Sequence, residues 1–377
     1  MKYQFDKLKA KYGNFELPMI NVTVEGKGFE QNKAGMIIGD AEVDLTSGYE
    51  ASEAVYRIYS CTDDKDGTYL YEDLKPYILL GSVSVIEMGY EGALEEVFRG
   101  FIARVEFTCG EGEIPCVEVT LMDIKGAMMA GKFEKQLCAA SYGEAVKEIL
   151  QKQVYQGLRS KGLLEKAAVT ETPDKNAGGG NEAARVEMTA ESDYEFIVKA
   201  ARKFNYEFYT ELGTVYFRKA KAGDTVLMEL GLEEGILSYR AAYDIRGIIR
   251  EAEARGPDDG KGAVISAKES CRNKLSYGSK VNRILDSSSR ICIDSSIHTK
   301  EEASARAKSV LERAAWQFGS LECECIGIPI LCPGYYIEIS GLGTGPDNQY
   351  YLTGVRHVLS GDKGYYTCLR GQAAGVK

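Results

Sequence analysis

Cysteine and histidine are the residues of this chain that could bind a transition metal. The chain has ten cysteines but only two histidines, His298 and His357. Cys323 and Cys325 form a C-x-C pattern on one predicted strand face, whereas structural zinc sites use C-x-x-C knuckles completed by further cysteines or histidines. We therefore predict no metal and interpret the cysteines as reduced thiols that act as small hydrophobic residues.

Carboxylate pairs and a glycine-rich run could support acid–base or phosphate chemistry. Glu95-Glu96 flanks a predicted hairpin and Asp258-Asp259 lies in a predicted turn, where solvated carboxylates are more usual than a glycosidase pair. The run 341–345 follows a strand, but another strand comes next, so no helix N-terminus is available for phosphate. Neither histidine lies in a nucleophile motif. The sequence predicts no catalytic residue and no cofactor.

The composition of the chain is that of an ordinary soluble globular protein. It has 377 residues, of which 27% are charged and 44% are hydrophobic. No apolar run is long enough for a membrane span and the first residues lack a signal-peptide core, so we expect a cytoplasmic protein with no membrane insertion. The net charge of −10 argues against direct nucleic-acid binding.

The segment from Cys332 to Arg370 predicts three antiparallel strands. Apolar and polar residues alternate from Tyr335 to Ser340, and glycine-containing turns separate the next two alternating runs. A weaker copy of this pattern covers residues 80–107, and each copy has a glycine inside its second strand, Gly100 or Gly354. The repetition predicts two related antiparallel barrels.

Helical patterns fill the region between the two copies. Capping boxes begin at Ser141, Ser192 and Thr299, and a hairpin follows the second helix directly. The glycine-rich segment 172–183 predicts a linker or exposed loop without an assigned role. We predict an α+β, mostly β fold with a first β-barrel domain (1–130), an α/β domain (131–222) and a second β-barrel domain with one helix (223–377).

Several of these segments together resemble one known family. The helix and hairpin of residues 192–219, the tract 251–260, the helix from Thr299 and the run from Gly327 to Thr367 resemble the baseplate hub proteins of contractile tails. This is the phage late control protein D family, which is similar to the base of type VI secretion spike proteins. The order of several weak motifs carries the resemblance.

The resemblance implies a structural protein rather than an enzyme. Such hubs are homotrimers in which each chain contributes two similar barrels, and six similar units match a six-fold tail tube to a three-fold spike. The implied partners are the tail tube, a spike and other baseplate proteins. The implied location is the bacterial cytoplasm during assembly and then the baseplate of a phage, a bacteriocin or another contractile injection system.

One departure from type VI spike proteins affects the expected partners. Those proteins continue into an oligonucleotide-fold domain and a needle, whereas this sequence ends soon after its last predicted strand. We therefore expect the spike to be a separate polypeptide. Two alternatives stay open, namely a cell-wall hydrolase carried by a tail and a distal-tail hub of a flexible-tailed phage.

Outward residues of the barrel strands are the predicted interface. Tyrosine pairs recur in the second barrel, and two interpretations are open: one ring of each pair faces a neighbouring subunit, or both are ordinary strand residues. The predicted interface residues are Tyr336, Tyr350 and Tyr366 in the second barrel and Phe98 and Arg99 in the first.

Overall fold

The computed structural model describes residues 2–174, 186–258, 262–271, 279–343 and 345–376. Most of the predicted loop 172–183 lies outside these residues. The α-helices are α1 (Phe5–Lys11), α2 (Tyr71–Ile78), α3 (Ile124–Met128), α4 (Tyr142–Leu150), α5 (Gln156–Ser160), α6 (Asp193–Phe204), α7 (Ser279–Leu285) and α8 (Lys300–Ala315). Short 3-10 helices cover Gly13–Phe15, Phe29–Gln31 and Gln153–Tyr155.

Strands dominate the described residues, as the sequence predicts. They are β1 (Pro18–Val24), β2 (Lys27–Gly28), β3 (Ile37–Thr46), β4 (Glu53–Tyr59), β5 (Val83–Tyr90), β6 (Ala93–Thr108), β7 (Cys116–Met122), β8 (Phe133–Leu137), β9 (Lys166–Val169), β10 (Val186–Glu191), β11 (Tyr206–Glu211), β12 (Thr214–Lys219), β13 (Val226–Leu230), β14 (Ile236–Tyr243), β15 (Glu251–Asp258), β16 (Ala263–Ser270), β17 (Ser289–Ile293), β18 (Gly319–Ile326), β19 (Tyr336–Ile339), β20 (Asn348–Ser360) and β21 (Gly364–Ala373). Most pairs are antiparallel, so the mostly β class is confirmed.

Two strand sets with the same order make up the large 13-stranded sheet, apart from the two-residue strand β2 at its end. The first set runs β3-β4-β7-β6-β5-β1 across the sheet, and the second set runs β14-β18-β21-β20-β19-β13. Corresponding strands also follow one another in the same order along the chain. The repeated strand pattern predicted from residues 80–107 and 332–370 is therefore confirmed, and it extends to six strands in each set.

The two strand sets join edge to edge within the chain. Residues 354–359 of β20 pair antiparallel with residues 41–46 of β3. One continuous hydrophobic core, which includes Val43 and Tyr56 from the first set and Leu321 and Val355 from the second, spans both sets. Among the described strands no pair closes either set into a barrel. The two closed barrels therefore stay a prediction.

Two inserted units interrupt the large sheet. The α/β unit, from α3 to β12, lies between the two strand sets and has its own hydrophobic core. The second insertion lies between β14 and β18, where the sheet β16-β15-β17 packs against α8. The domain limits 1–130, 131–222 and 223–377 stay a prediction.

Three helices begin at the residues that the sequence predicts. Ser141 Oγ accepts a hydrogen bond from the backbone N–H of Glu144 at 3.2 Å. Ser192 and Thr299 each form a complete capping box with the glutamate three residues later. Such a cap satisfies backbone donors that have no partner inside the helix. The three predicted helix starts are confirmed.

His357 is a fully buried residue of β20. Its Nε2 lies 3.0 Å from the Leu331 carbonyl oxygen, and its Nδ1 lies 2.9 Å from the Tyr365 hydroxyl. A neutral ring that donates from Nε2 and accepts at Nδ1 satisfies both contacts. Burial lowers the pKa of His357 from 6.5 to about 4. These contacts indicate a structural role for His357.

We expect His357 to make the folded state sensitive to mild acid. Because its pKa is lower in the folded chain, the unfolded chain takes up a proton first as the pH falls below 6.5. Between pH 7 and pH 5 the free energy of unfolding of the wild type should therefore fall by about 2 kcal/mol more than that of His357→Gln. Urea denaturation followed by circular dichroism measures this difference. Ser160→Ala, which changes an exposed residue and removes no titratable group, is the control and should keep the wild-type pH dependence. An unchanged pH dependence in His357→Gln would contradict the expectation.

The Ser192 cap gives a second test of the fold. Ser192→Ala removes the acceptor for the Glu195 N–H, so the free energy of unfolding should fall by about 1 kcal/mol. Ser160→Ala is the control, because Ser160 is exposed and its hydroxyl donates only to the nearby carbonyl of Gly157. Equal losses in the two variants, measured by the same denaturation assay, would argue against a stabilising cap.

Candidate assembly surface

Phe98 and Tyr350 do not face outward, so the prediction of an exposed side chain is wrong for both. Phe98 is 2% exposed and Tyr350 is fully buried. A β-bulge makes Val97 an extra residue opposite β5, so Val97 and Phe98 are both buried in the core. Tyr350 belongs to the core of the large sheet, while Tyr351 on the other face contacts the α/β unit. Neither Phe98 nor Tyr350 can contact a partner without local rearrangement.

The other three predicted interface residues are half-buried. Arg99 donates to Glu165 at 2.6 Å, and the Tyr336 hydroxyl donates to the Lys221 carbonyl at 3.3 Å. Tyr366 makes a looser contact, in which the ammonium of Lys363 lies 5.3 Å from its ring centroid. Arg99 and Tyr336 thus hold parts of one chain together. The role of these three residues in a subunit interface stays a prediction.

The hairpin β11–β12, which we call the central hairpin, bonds to both strand sets. On the side of the second set, the Tyr351 hydroxyl donates to Glu207 Oε2 at 2.7 Å, and Arg218 donates to the Gly334 carbonyl at 2.7 Å. On the side of the first set, the Thr210 hydroxyl donates to Asp123 Oδ2 at 2.7 Å. The α/β unit therefore fixes the two sets relative to one another.

The charged groups of the central hairpin are engaged in contacts within the protein and do not form an open reaction site. The Arg218 guanidinium lies 5.3 Å from the ring centroids of both Tyr209 and Tyr216. Burial raises the pKa of Glu207, while hydrogen bonds from Tyr351 and from the Lys221 backbone oppose that rise. Both carboxylate oxygens of Glu207 accept hydrogen bonds from the protein. Such a satisfied carboxylate stabilises packing and is not free to act as a base.

Lys125 is a fully buried lysine where the first set meets the α/β unit. Its ammonium donates to the carbonyls of Gly48 and Phe208 at 3.4 Å each and also to that of Glu50. Burial lowers the pKa of Lys125, and the charge of Asp123 opposes this shift. Three carbonyl acceptors account for the three donors of an ammonium group, so Lys125 is a structural residue.

A cleft of about 570 Å³ lies beside the central hairpin. Both strand sets, the α/β unit and α8 contribute to its lining, which includes Asp44, Glu53, Lys221, Arg313 and Arg370. The side chains of opposite charge are mixed, so the cleft does not select an anion or a cation. Within the described residues no group of three or more histidines, cysteines and carboxylates is arranged to hold a metal. The cleft thus has no chemistry that identifies a ligand.

The face of the large sheet opposite its core carries arginine–carboxylate pairs. Asp44 of β3 accepts from Arg356 of β20 at 2.8 Å and from Arg370 of β21 at 2.7 Å. A similar pair joins Arg57 of β4 to Glu118 of β7 at 2.9 Å. These pairs cross from strand to strand and also cross the junction between the two sets. The polar face is therefore continuous over both sets.

The strands with an outer edge that no other described strand pairs include β14 and the last part of β6. β14 pairs only with β18, and the last residues of β6 pair only with β7. Large apolar side chains are exposed at these edges, with Leu237 57%, Tyr239 40% and Phe107 44% exposed. Free edges with apolar side chains are typical sites of pairing with another chain.

The sequence analysis missed the edges as a candidate surface. Residues such as Ile236 and Tyr239 favour a strand, but no local pattern tells whether one or both edges of a strand are paired. The exposure of Tyr239 is visible only in the folded chain. For these edges the missing information is the tertiary arrangement.

The fold is shared with solved structures of tail proteins. The 43 kDa tail protein of prophage MuSo2 from Shewanella oneidensis has a TM-score of 0.70 and 13% identity, over 95% of this chain and 98% of that chain. A tail protein of Neisseria meningitidis has a TM-score of 0.65 and 13% identity, over 96% and 98%. The resemblance to tail proteins stated from the sequence is confirmed at the level of fold.

A third neighbour links the fold to secretion systems. The E. coli c3393 protein, described as a component of the type VI secretion system with similarity to the T4 tail proteins gp27 and gp5, has a TM-score of 0.58 and 12% identity. The alignment covers 94% of this chain and 78% of that chain.

Among the described residues, no helix has the length and apolar character needed to cross a membrane.

The sequence itself matches one family model. A search of curated proteins finds no match. The matching family is described as the Alg8 N-terminal domain, and the match covers residues 75–361, well over half of the chain. Membership of the late control protein D family therefore stays a prediction. The chain thus has the fold of phage tail proteins and belongs to the family described as the Alg8 N-terminal domain.

Proposed function

We propose that this chain is a structural hub at the end of a contractile tail, where a homotrimer joins a six-fold tail tube to a three-fold spike. The observation that carries the proposal is the pair of six-stranded sets with one strand order, joined edge to edge in one chain. Three such chains supply six similar units, each built as a small barrel. A ring of this kind presents near six-fold symmetry on one side and three-fold symmetry on the other.

The rigidity of the described chain supports this role. A symmetry adaptor has to hold its two units at a fixed angle, since an error in that angle would prevent ring closure. The chain has a strand junction between the sets and a central hairpin bonded to both of them. Both features hold the two strand sets at a fixed angle.

The partners follow from the same argument. A six-fold face suits the tail tube, and a three-fold face suits a spike supplied as a separate polypeptide, with other baseplate proteins around the ring. The neighbour described as similar to gp27 and gp5 supports this choice by its fold. We include Arg99, Tyr336 and Tyr366 in the proposal as residues near subunit contacts. Tyr366 is the most available, because its contact with Lys363 is looser than the hydrogen bonds of Arg99 and Tyr336.

The proposed role is not enzymatic, and this separates it from a tail-borne cell-wall hydrolase. The buried carboxylates beside the cleft, such as Glu207, are engaged by donors of the protein itself. A hydrolase would need a carboxylate that is open to substrate. The fold neighbours described as tail proteins support the structural role.

The mass of the protein in solution tests the hub. Light scattering should give a particle of three times 41.4 kDa for the purified chain alone, or this mass plus that of the bound spike in the mixture with the candidate spike. A control mixture with an unrelated trimeric protein should leave the mass unchanged. A chain that stays monomeric with and without the spike would contradict the hub.

A further inference from the structure

The outer edges of β14 and of the last residues of β6 lack a strand partner in the described part of the chain. Inside the chain the corresponding strands, β3 and β20, are paired with each other. We propose that β14 of one copy pairs antiparallel with residues 104–109 of a second copy, in the register of the β3–β20 junction. This inference rests on the proposed trimer and names the surface that would form it. Such a contact is head-to-tail, and it closes into a ring when three repeats of its rotation complete a full turn.

Matching β-bulges fix which residues correspond between the two sets. β6 has a bulge between Ile102 and Arg104 where it pairs with β7, and β20 has one between Leu352 and Gly354 where it pairs with β21. Arg104 therefore corresponds to Gly354. Counting from this position, Glu106 corresponds to Arg356.

The outer strands carry a second matching bulge. β3 is bulged between Ile38 and Asp40 against β4, and β14 is bulged between Ile236 and Ser238 against β18. Asp40 therefore corresponds to Ser238, and the register along β14 follows from it. The two pairs of matching bulges together assign one residue-by-residue register to the proposed strand pairing.

The charges at the proposed contact are complementary. In the junction inside the chain, Arg356 of β20 lies 3.2 Å from Glu42 of β3. The corresponding residues are Glu106 and Arg240, so the same diagonal cross-strand pair would form between copies with the two charges exchanged. The residue directly opposite Glu106 would be Ala242, the counterpart of Asp44. An acid diagonal to a base in the derived register favours a second copy as the occupant.

A second charge pair follows from the same register. Gly354 is opposite Thr46 in the internal junction, and the corresponding residues are Arg104 and Asp244. In the isolated chain Arg104 forms an ion pair with Glu106, and Asp244 forms one with Arg246. Exposed pairs of this kind exchange partners readily, because each holds its geometry weakly.

Apolar exposure supports the contact as well. Phe107 is 44% exposed and Tyr239 is 40% exposed in the single chain. The corresponding Ala41 of the internal junction is 4% exposed, and the corresponding His357 is fully buried against Leu331 and Tyr365 of its own set. Pairing of the two edges would bring a second chain next to apolar side chains that the single chain leaves exposed.

Cross-linking tests the register directly. Leu359 is opposite Ala41 in the internal junction, which places Cys109 of one copy opposite Tyr239 of the next. Cross-strand neighbours lie within the Cα separation that a disulfide needs. Oxidised Tyr239→Cys should therefore give linked dimers and trimers on a non-reducing gel. Two controls should give no linked species. The first combines Tyr239→Cys with Cys109→Ser, and the second is Leu232→Cys at an exposed position outside the strands.

Charge reversal tests the same contact without new thiols. Arg240→Glu and Glu106→Arg should each lower the trimer fraction at least tenfold in light scattering with the spike present, and the double variant should restore it. Circular dichroism checks that each variant is folded. If the wild type is a trimer but the reversals have no effect and the cysteines do not link, the strand contact is wrong and the hub stands. A wild type that never forms a trimer overturns both.

Discussion

The antiparallel pairing of β3 with β20 is the interaction on which the rest of the structure depends. It joins residues that are about 300 positions apart into one hydrogen-bonded ladder. Its two faces have different chemistry, since the inner face continues the shared hydrophobic core and the outer face carries Asp44 between two arginines. Each backbone hydrogen bond contributes only about 1 kcal/mol net, but the shared core makes the pairing cooperative with both strand sets.

The central hairpin explains why this junction can hold a fixed angle. A strand pairing alone allows the sheet to twist, and twist varies considerably between neighbouring strands. The hairpin adds contacts on both sides, through Asp123 to the first set and through Tyr351 to the second. A buried charged group such as Lys125 or Glu207 destabilises the fold when it loses its hydrogen-bond partners. A change of the angle between the sets that breaks these hydrogen bonds would therefore lower the free energy of unfolding. The arrangement therefore favours one geometry strongly over its neighbours.

Local patterns in the sequence were sufficient for the elements but not for the surfaces. Ser192 and Thr299 began helices as predicted, because a capping box is decided within four residues. The repeated strand pattern was also found, since alternation and turns are local. The facing of Phe98 was wrong because one bulge changes the alternation, and Tyr350 was wrong because distant elements cover both faces of β20. The β3–β20 junction, the central hairpin contacts and the free edges depend on long-range pairing, which no local pattern encodes.

The distance along the chain between β3 and β20 has a consequence for synthesis. β3 ends at Thr46, and its partner begins at Asn348. At about 5–20 residues per second, a ribosome needs roughly 15–60 s to make the intervening chain. During this time the edge of β3 is available to other nascent chains on the same messenger. Glu42 and Asp44, which later pair with arginines of the second set, would keep such edges apart by repulsion until the correct strand arrives.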